Sequence, residues 1–424
     1  IVPAGGCLLG WRTNLGLVHR TSSGSHRVMS TQMDDPANCL VPENLRSPIK
    51  GEPSGPLSGL TFVAKDLFDV AGHRTSNGSP DFHHHAKPSP TNAMVIRKLL
   101  AAGATLTGMT ICDEFFYSLT GANAHYGTPI NLRAPGRLPG GSSSGSAAAM
   151  TAGISDFAVG SDTGGSVRIP ASFCGLWGIR PSLGRVSLDG GRAMAPSFDT
   201  AGWFTNDAEL LSVVGRVVLE GSPDRSAIER FVIADDVLAR TDDPITSAFN
   251  TWVKTAALDA VEHLPIASDG LDSWWNVFRI IQAGEVKTTN LPWVRKYKAN
   301  LGEGIKERFL IAEQVTDIEL HKARQEREEI VKKINAVIVS GTVLVMPTAP
   351  CIAPKLDAES AALESFRSNT MALTCIAGLA GLPQVSMPVL TVENCPVGVS
   401  LVGAQGSDEE LLKLASYFAT NTII

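Results

Sequence analysis

The spacing of apolar residues changes repeatedly along the chain, and each change marks an element. Residues 60–64 form a short apolar run suited to a buried strand, with Lys65 and Asp66 at its C-terminal end. Between Thr91 and Ala102 the positions Met94, Val95, Leu99 and Ala102 share one helical face. Thr91 is the candidate N-cap and Gly103 the stop. Residues 104–110 then read as a second strand, so strand, helix and strand alternate as in a mostly parallel sheet. Residues 147–152 are strong helix formers, and residues 154–159 are apolar enough for another buried strand. Residues 231–234 and 343–346 read as strands, residues 315–339 as a charged helix running into an apolar one. Residues 363–418 read as helix, strand, strand and helix. Residues 41–56 are Pro-rich and aperiodic, which puts the start of order near Leu57. There is no internal repeat.

Composition narrows the class. The chain has 424 residues, 44% hydrophobic and 18% charged, which excludes a disordered polymer and suffices for a large core. Length alone suggests two or three domains at ~150 residues each, although large α/β enzymes break that rule. Lys+Arg total 36 against Asp+Glu 42, a net charge of −6, which argues against a nucleic-acid partner. Seven cysteines without a C-x-x-C pair argue against both a disulfide framework and a zinc site. His83, His84 and His85 read as a solvated loop. A reducing compartment, the cytoplasm, follows as the expected location. No run approaches ~18 apolar residues, so no membrane helix is expected. Up to Met33 there is no acidic residue, while Arg12, Arg20 and Arg27 occur among serines. Residues 1–28 are therefore expected to be a leader, transit-like or derived from an untranslated region with Met29 or Met33 as the start, preceding a single domain over 29–424.

Glycine is the informative residue. Residues 136–191 hold 13 glycines, where the chain average of 40 in 424 predicts about five. They punctuate ordered segments, so the backbone there must approach something closely. Two Ser/Gly loops result: Gly140 to Ser146, containing Ser142, Ser143 and Ser144, and Gly160 to Arg168, containing Asp162, Thr163, Gly164, Gly165 and Ser166. Either could be an anion-binding nest, but neither carries the lysine of a nucleotide P-loop. Gly141 to Gly145 also fits the G-x-S-x-G elbow centred on Ser143. That chemistry needs a downstream histidine, and only His263, read as a helix end, and His321, in the charged helix, follow. A nucleophilic serine without histidine needs another base, and lysine is a known solution. Lys65 is the candidate because it ends an apolar strand, where desolvation lowers a lysine pKa. A shift from ~10.4 to ~7.5 corresponds to about 4 kcal/mol, which burial can supply. A surface charge is the alternative reading.

The combination of Lys65-Asp66 after a strand, Pro139 to Ser146, Gly160 to Pro170, Ala171 to Pro181 and Ser197 to Gly202 resembles the amidase signature family. The similarity returns at Ala377 to Pro383 and Pro396 to Gly403, and the two key serines stand 24 positions apart. It spans about Leu57 to Phe418, loosely in the middle third. The resemblance implies an α/β fold, an α/β/α sandwich around a large mixed sheet. It also implies a Ser-Ser-Lys acyl-enzyme mechanism: Ser166 as nucleophile, Ser142 as bridging serine on a cis peptide, Lys65 as base. The backbone N–H groups of Thr163, Gly164, Gly165 and Ser166 would form the oxyanion hole, with Ser143, Asp162 and Arg168 in support. Losing one such donor typically costs ~3 kcal/mol in the transition state. The family needs no metal or organic cofactor, and its partner is a small-molecule amide. Residues 124–129 and 197–204 are most similar to the plant branch that hydrolyses indole-3-acetamide to indole-3-acetate and ammonia. A glutamine amidotransferase A-subunit and a non-catalytic import or docking receptor are the alternatives. The receptor has lost the nucleophile, whereas Ser166 is present here. Phe116 and Tyr117, with Phe115, are candidates for an acyl pocket, as are Trp274, Trp275 and Trp293. Ordinary core aromatics are the competing reading.

Overall fold

The computed structural model describes residues 34–256, 258 and 261–421, and the described residues from Asp35 onward form one compact unit. The expected leader, residues 1–28, lies outside the described residues. Ten strands are described: β1 (Thr61–Lys65), β2 (Thr105–Thr110), β3 (Phe157–Asp162), β4 (Trp177–Arg180), β5 (Thr200–Thr205), β6 (Arg230–Ala234), β7 (Glu262–Leu264), β8 (Thr342–Pro347), β9 (Gln384–Val392) and β10 (Cys395–Gly403). They form one mixed sheet in the order β2-β1-β3-β5-β4-β9-β10-β8-β6-β7. β1 runs parallel to both β2 and β3, the neighbours from β3 through β5, β4, β9 and β10 to β8 pair antiparallel, and β8, β6 and β7 are again parallel.

Strand side chains alternate between faces, and here both faces are apolar. Phe62, Phe157, Ile179, Trp203, Val345, Met387 and Val399 belong to one buried cluster. The helices Met94–Ala101, Ala208–Val218 and Asp408–Asn421 contribute Leu99, Leu211 and Leu411 to it. Neighbouring strand positions point the other way. Leu344, Met346 and Val402 meet the helices Leu271–Thr289, Asp317–Val337 and Ser360–Ala380. Val63, Ala158 and Phe204 meet the alanine face of Ser144–Thr151. The mixed α/β architecture, with helices against both faces of a large sheet, is the one expected. Among the described residues no helix is long and apolar enough to cross a membrane.

Several elements differ from their sequence reading. Order begins well before Leu57: Leu40 bridges Thr110 and Ile49 bridges Leu106, so backbone bonds to β2 hold a segment that has no apolar period. The first long helix starts at Met94, not after Thr91. Ala93 N–H donates to Asp69 O and Met94 N–H to Asp189 O, so tertiary backbone acceptors replace a side-chain cap. The third strand occupies Phe157–Asp162, because Ile154 N–H still closes the preceding helix on Ala149 O. The segment 315–339 is one helix, Asp317–Val337, capped reciprocally by Thr316 and Glu319. The three histidines lie in a short helix, Pro80–His85, where His85 stacks on Tyr297. His263 belongs to the edge strand β7 and not to a helix end.

Candidate active site

Parallel pairing brings two strand ends together. β1 and β3 run side by side with Ala64 opposite Val159, so Lys65 and Asp162 emerge at the same carboxyl edge, where α/β sheets place their sites. Lys65 is fully buried, and its Nζ donates to Ser142 Oγ at 2.7 Å and to Ser161 Oγ at 2.9 Å. Nζ also lies 5.0 Å from the centroid of the Phe116 ring. Burial pushes the Lys65 pKa down to about 8, against the opposing field of Asp113, Asp162 and Asp199. At neutral pH about a tenth of the lysine is thereby present as the free base, within reach of a buried hydroxyl.

Ser142 sits on a cis Gly141–Ser142 peptide, immediately before the helix Ser144–Thr151. Its carbonyl accepts the Asp113 N–H at 3.2 Å. Ser143 follows and stitches the two Ser/Gly loops together. Its N–H donates to Ser166 O at 3.2 Å, its hydroxyl donates to Ser161 O at 3.1 Å, and that same hydroxyl accepts the Ser161 N–H at 3.2 Å. Ser143 is thus buried in structural bonds, and the histidines of the elbow reading are elsewhere. His263 pairs with Asp235 on the far edge strand, and His321 is exposed.

Asp162 shapes the loop that carries Ser166. Oδ1 accepts the Gly165 N–H at 3.0 Å, Arg168 Nη2 at 2.7 Å and Arg180 Nη1 at 3.1 Å. Oδ2 accepts the Val167 N–H at 2.9 Å and Arg168 Nε at 3.0 Å. Burial alone would raise this carboxyl, but the two guanidiniums and the Val167 N–H outweigh it and hold Asp162 well below the usual carboxylate range. Arg168 extends the brace to Thr374 O at 2.8 Å and Gln384 Oε1 at 2.7 Å. Gly164 O accepts the Thr374 hydroxyl at 2.8 Å. One expected oxyanion donor is therefore committed: the Gly165 N–H serves Asp162. Among the described residues the N–H groups of Thr163, Gly164 and Ser166 have no acceptor, nor does the Ser166 hydroxyl have a partner. The two serine loops meet through the backbone, not through a Ser142–Ser166 hydroxyl bond.

Ser166, Thr163 and Gly164 line a small, partly open cavity with Phe116, Tyr117 and Met371. Phe115 and Phe116 both adopt left-handed backbone, φ 49° and 63°, a conformation costing about 1–2 kcal/mol for a bulky residue. Packing enforces it: Phe115 turns away from the cavity onto Phe82, Trp293 and Phe309, which leaves Phe116 over Lys65. Trp274 is fully buried and donates to Asp269, and Trp293 packs behind Phe115, so neither lines the cavity. Two residues that motif reading did not single out belong to the cluster. Ser161 is the second partner of Lys65. Asp113 is a fully buried carboxylate whose Oδ2 accepts the Gly121 N–H at 3.1 Å, while Oδ1 has no partner among the described residues. Burial pushes its pKa up to about 6.

Comparison with known proteins finds matches over most of the chain. The family model described as Amidase matches residues 30–248 and 271–412. The chain is 41% identical over 407 residues to Amidase 1 of Arabidopsis thaliana, covering 88% of this chain and 96% of that protein. It is 32% identical over 385 residues to Translocon at the outer membrane of chloroplasts 64 of Pisum sativum, covering 84% of this chain but 65% of that one. A solved structure described as an amidase superposes with a TM-score of 0.78 at 31% identity, covering 87% of this chain and 86% of its own.

Proposed function

Because the chain belongs to the amidase family, we propose that it hydrolyses a small carboxamide through Ser166, Ser142 and Lys65, with indole-3-acetamide, cleaved to indole-3-acetate and ammonia, as the best candidate. The observation that carries the mechanism is the 2.7 Å contact between a fully buried Lys65 Nζ and Ser142 Oγ. In its neutral form Lys65 accepts the Ser142 proton. Ser142 in turn takes the proton of Ser166 as Ser166 Oγ attacks the amide carbon. The carbonyl oxygen, becoming an oxyanion, is met by the N–H groups of Thr163, Gly164 and Ser166, donors already aimed and not otherwise used. Collapse of the tetrahedral adduct breaks the C–N bond, and the leaving nitrogen recovers the proton by the same relay and departs as ammonia. Water, deprotonated along that route, then attacks the acyl-Ser166 ester and releases the carboxylate.

Phe116 and Tyr117 form the aromatic wall for the acyl group, which suits a flat aryl ring. The plant branch that the sequence resembles supports the choice of indole-3-acetamide. The same reading has the enzyme act in a reducing compartment such as the cytosol, and the six free cysteines among the described residues support it. The test is ammonia release from indole-3-acetamide, phenylacetamide, a fatty amide, malonamide and glutamine, by the wild type and by Ser166→Ala. Turnover of an arylacetamide that vanishes in Ser166→Ala is expected. Retained turnover in that variant sinks the mechanism, and activity on glutamine alone, dependent on added subunits, overturns the free-standing amidase.

A further inference from the structure

The cavity beside Ser166 mixes apolar and polar side chains along its wall and includes one cation. Arg367, from the helix Ser360–Ala380, lines it together with Tyr117, Leu119 and Met371. The guanidinium lies over the Trp275 ring, 5.7 Å from the centroid. Its carboxylate neighbour is Glu364, 3.6 Å away, one turn earlier on the same helix and largely in solvent. An exposed pair of that kind contributes little. Arg308, from the helix Ile305–Gln314, donates to the Tyr117 carbonyl at 2.7 Å. Burial and then the adjacent charge of Arg367 push its pKa down to about 10. Arg279, from Leu271–Thr289, adds a third positive charge felt at the buried Tyr117 phenol. The acids within reach of these three are the exposed Glu364 and Glu319 and the buried Asp113, of which only Oδ2 accepts the Gly121 N–H. Three guanidiniums thus share one buried carboxylate, Asp113, so positive charge is in excess at this cavity wall, an arrangement that favours an anionic ligand.

With the scissile carbonyl at Thr163, Gly164 and Ser166, an acyl group in the same cavity runs past Tyr117 toward Arg367. We propose that Arg367, with the positive charges of Arg308 and Arg279 nearby, is a subsite for an anionic group on the acyl portion, so that arylacetamides bearing a carboxylate remote from the amide are turned over in preference to their neutral isosteres, alongside neutral substrates such as indole-3-acetamide. This rests on the amidase reading of Ser166 and deepens it by naming the substrate class. A charged hydrogen bond to a guanidinium that is only partly solvated is worth ~10-fold or more in affinity.

The experiment compares (3-carboxyphenyl)- and (4-carboxyphenyl)acetamide with their isosteric neutral nitro analogues, with phenylacetamide as reference, by ammonia release. At least one carboxylate isomer is expected to exceed its nitro analogue ~10-fold in kcat/KM, chiefly through KM. Arg367→Gln should bring that ratio close to one, while Arg97→Gln, an exposed arginine on the helix Met94–Ala101, should leave it unchanged. Turnover of phenylacetamide with no carboxylate preference, or a preference that survives Arg367→Gln, overturns the subsite and leaves the amidase reading standing. Absence of turnover on every amide, phenylacetamide and indole-3-acetamide included, overturns that reading and the subsite with it.

Discussion

The carboxylate of Asp113 fills the space that a side chain at Gly141 would need. A Cβ there would lie 2.4 Å from Oδ2 and 2.6 Å from Oδ1, and 2.6 Å from the Gly121 nitrogen. Since the Asp113 N–H also holds Ser142 O at 3.2 Å, one buried acid grips both residues of the peptide that presents Ser142 to Lys65.

Gly141→Ala tests that grip. Neither a fully buried carboxylate nor a backbone nitrogen can move aside cheaply, so overpacking should destabilise the fold by about 1–3 kcal/mol. Displacing Ser142 by a fraction of an ångström to an ångström should lower kcat/KM by ~100-fold. Thermal unfolding and amide turnover read the two effects separately. Near-wild-type values in both would mean that the Asp113 contact does not position Ser142.

The pH profile follows from Lys65. The base works when neutral, so kcat/KM should rise with pH and level off above about 8, the value to which burial lowers Lys65. Asp113, near 6, is an anion at that point, and its field favours the charged lysine. Asp113→Asn should therefore move the limb to lower pH. The stability sign is opposite to that of a stabilising ion pair. A lysine whose folded pKa is depressed costs stability once the unfolded chain is protonated. The cost sets in as pH falls from ~10.5 toward 8 and is full below 8. Lys65→Met should accordingly gain more stability relative to wild type at pH 7 than at pH 10.5. A limb that moves upward in Asp113→Asn would count against this account of the Lys65 environment.

Lys65, Ser142 and Ser166 were legible because each lies in a motif, and Lys65 also because an apolar run ends on it. Ser161 and Asp113 were not. Ser161 reaches Lys65 only through the parallel pairing of β1 with β3, and Asp113 reaches Gly141 only by the approach of a separate loop. Of the four N–H groups proposed from the motif as oxyanion donors, that of Gly165 is taken by Asp162, which Arg168 and Arg180 draw in. Residues 35–56 escaped periodicity for a related reason: their order comes from backbone bridges to β2. What pattern missed throughout is pairing between segments distant in sequence.

Ser161 and Ser142 should separate on mutation. Ser142→Ala removes the hydroxyl through which the proposed relay reaches Lys65, and kcat should fall by ~10³-fold or more. Ser161→Ala keeps the relay but frees one side of the ammonium, so the loss should be about tenfold. Because a hydrogen bond to the charged form favours it, losing Ser161 Oγ should also shift the activity limb to lower pH. Equal losses in the two variants would assign Ser161 to the relay itself.

Asp162→Asn probes the brace under the Ser166 loop. The substitution leaves the Arg168 and Arg180 guanidiniums, both fully buried, without their shared carboxylate. Breaking a buried ion pair from one side costs about 3–5 kcal/mol. Asp162 has a depressed folded pKa, so its contribution is present above the unfolded carboxylate value near 4 and is lost as pH falls through the folded value, well below that. Urea unfolding should thus show a large difference between wild type and variant at pH 7 that narrows in strong acid. The Gly165 and Val167 N–H groups lose their acceptors at the same time. Turnover at pH 7 should therefore fall in the fraction of Asp162→Asn that remains folded, as the loop donors toward the carbonyl lose their aim. A variant that unfolds like wild type at pH 7 and turns over amides normally would show that Arg168 and Arg180 find other partners and that the loop holds its shape without the carboxylate.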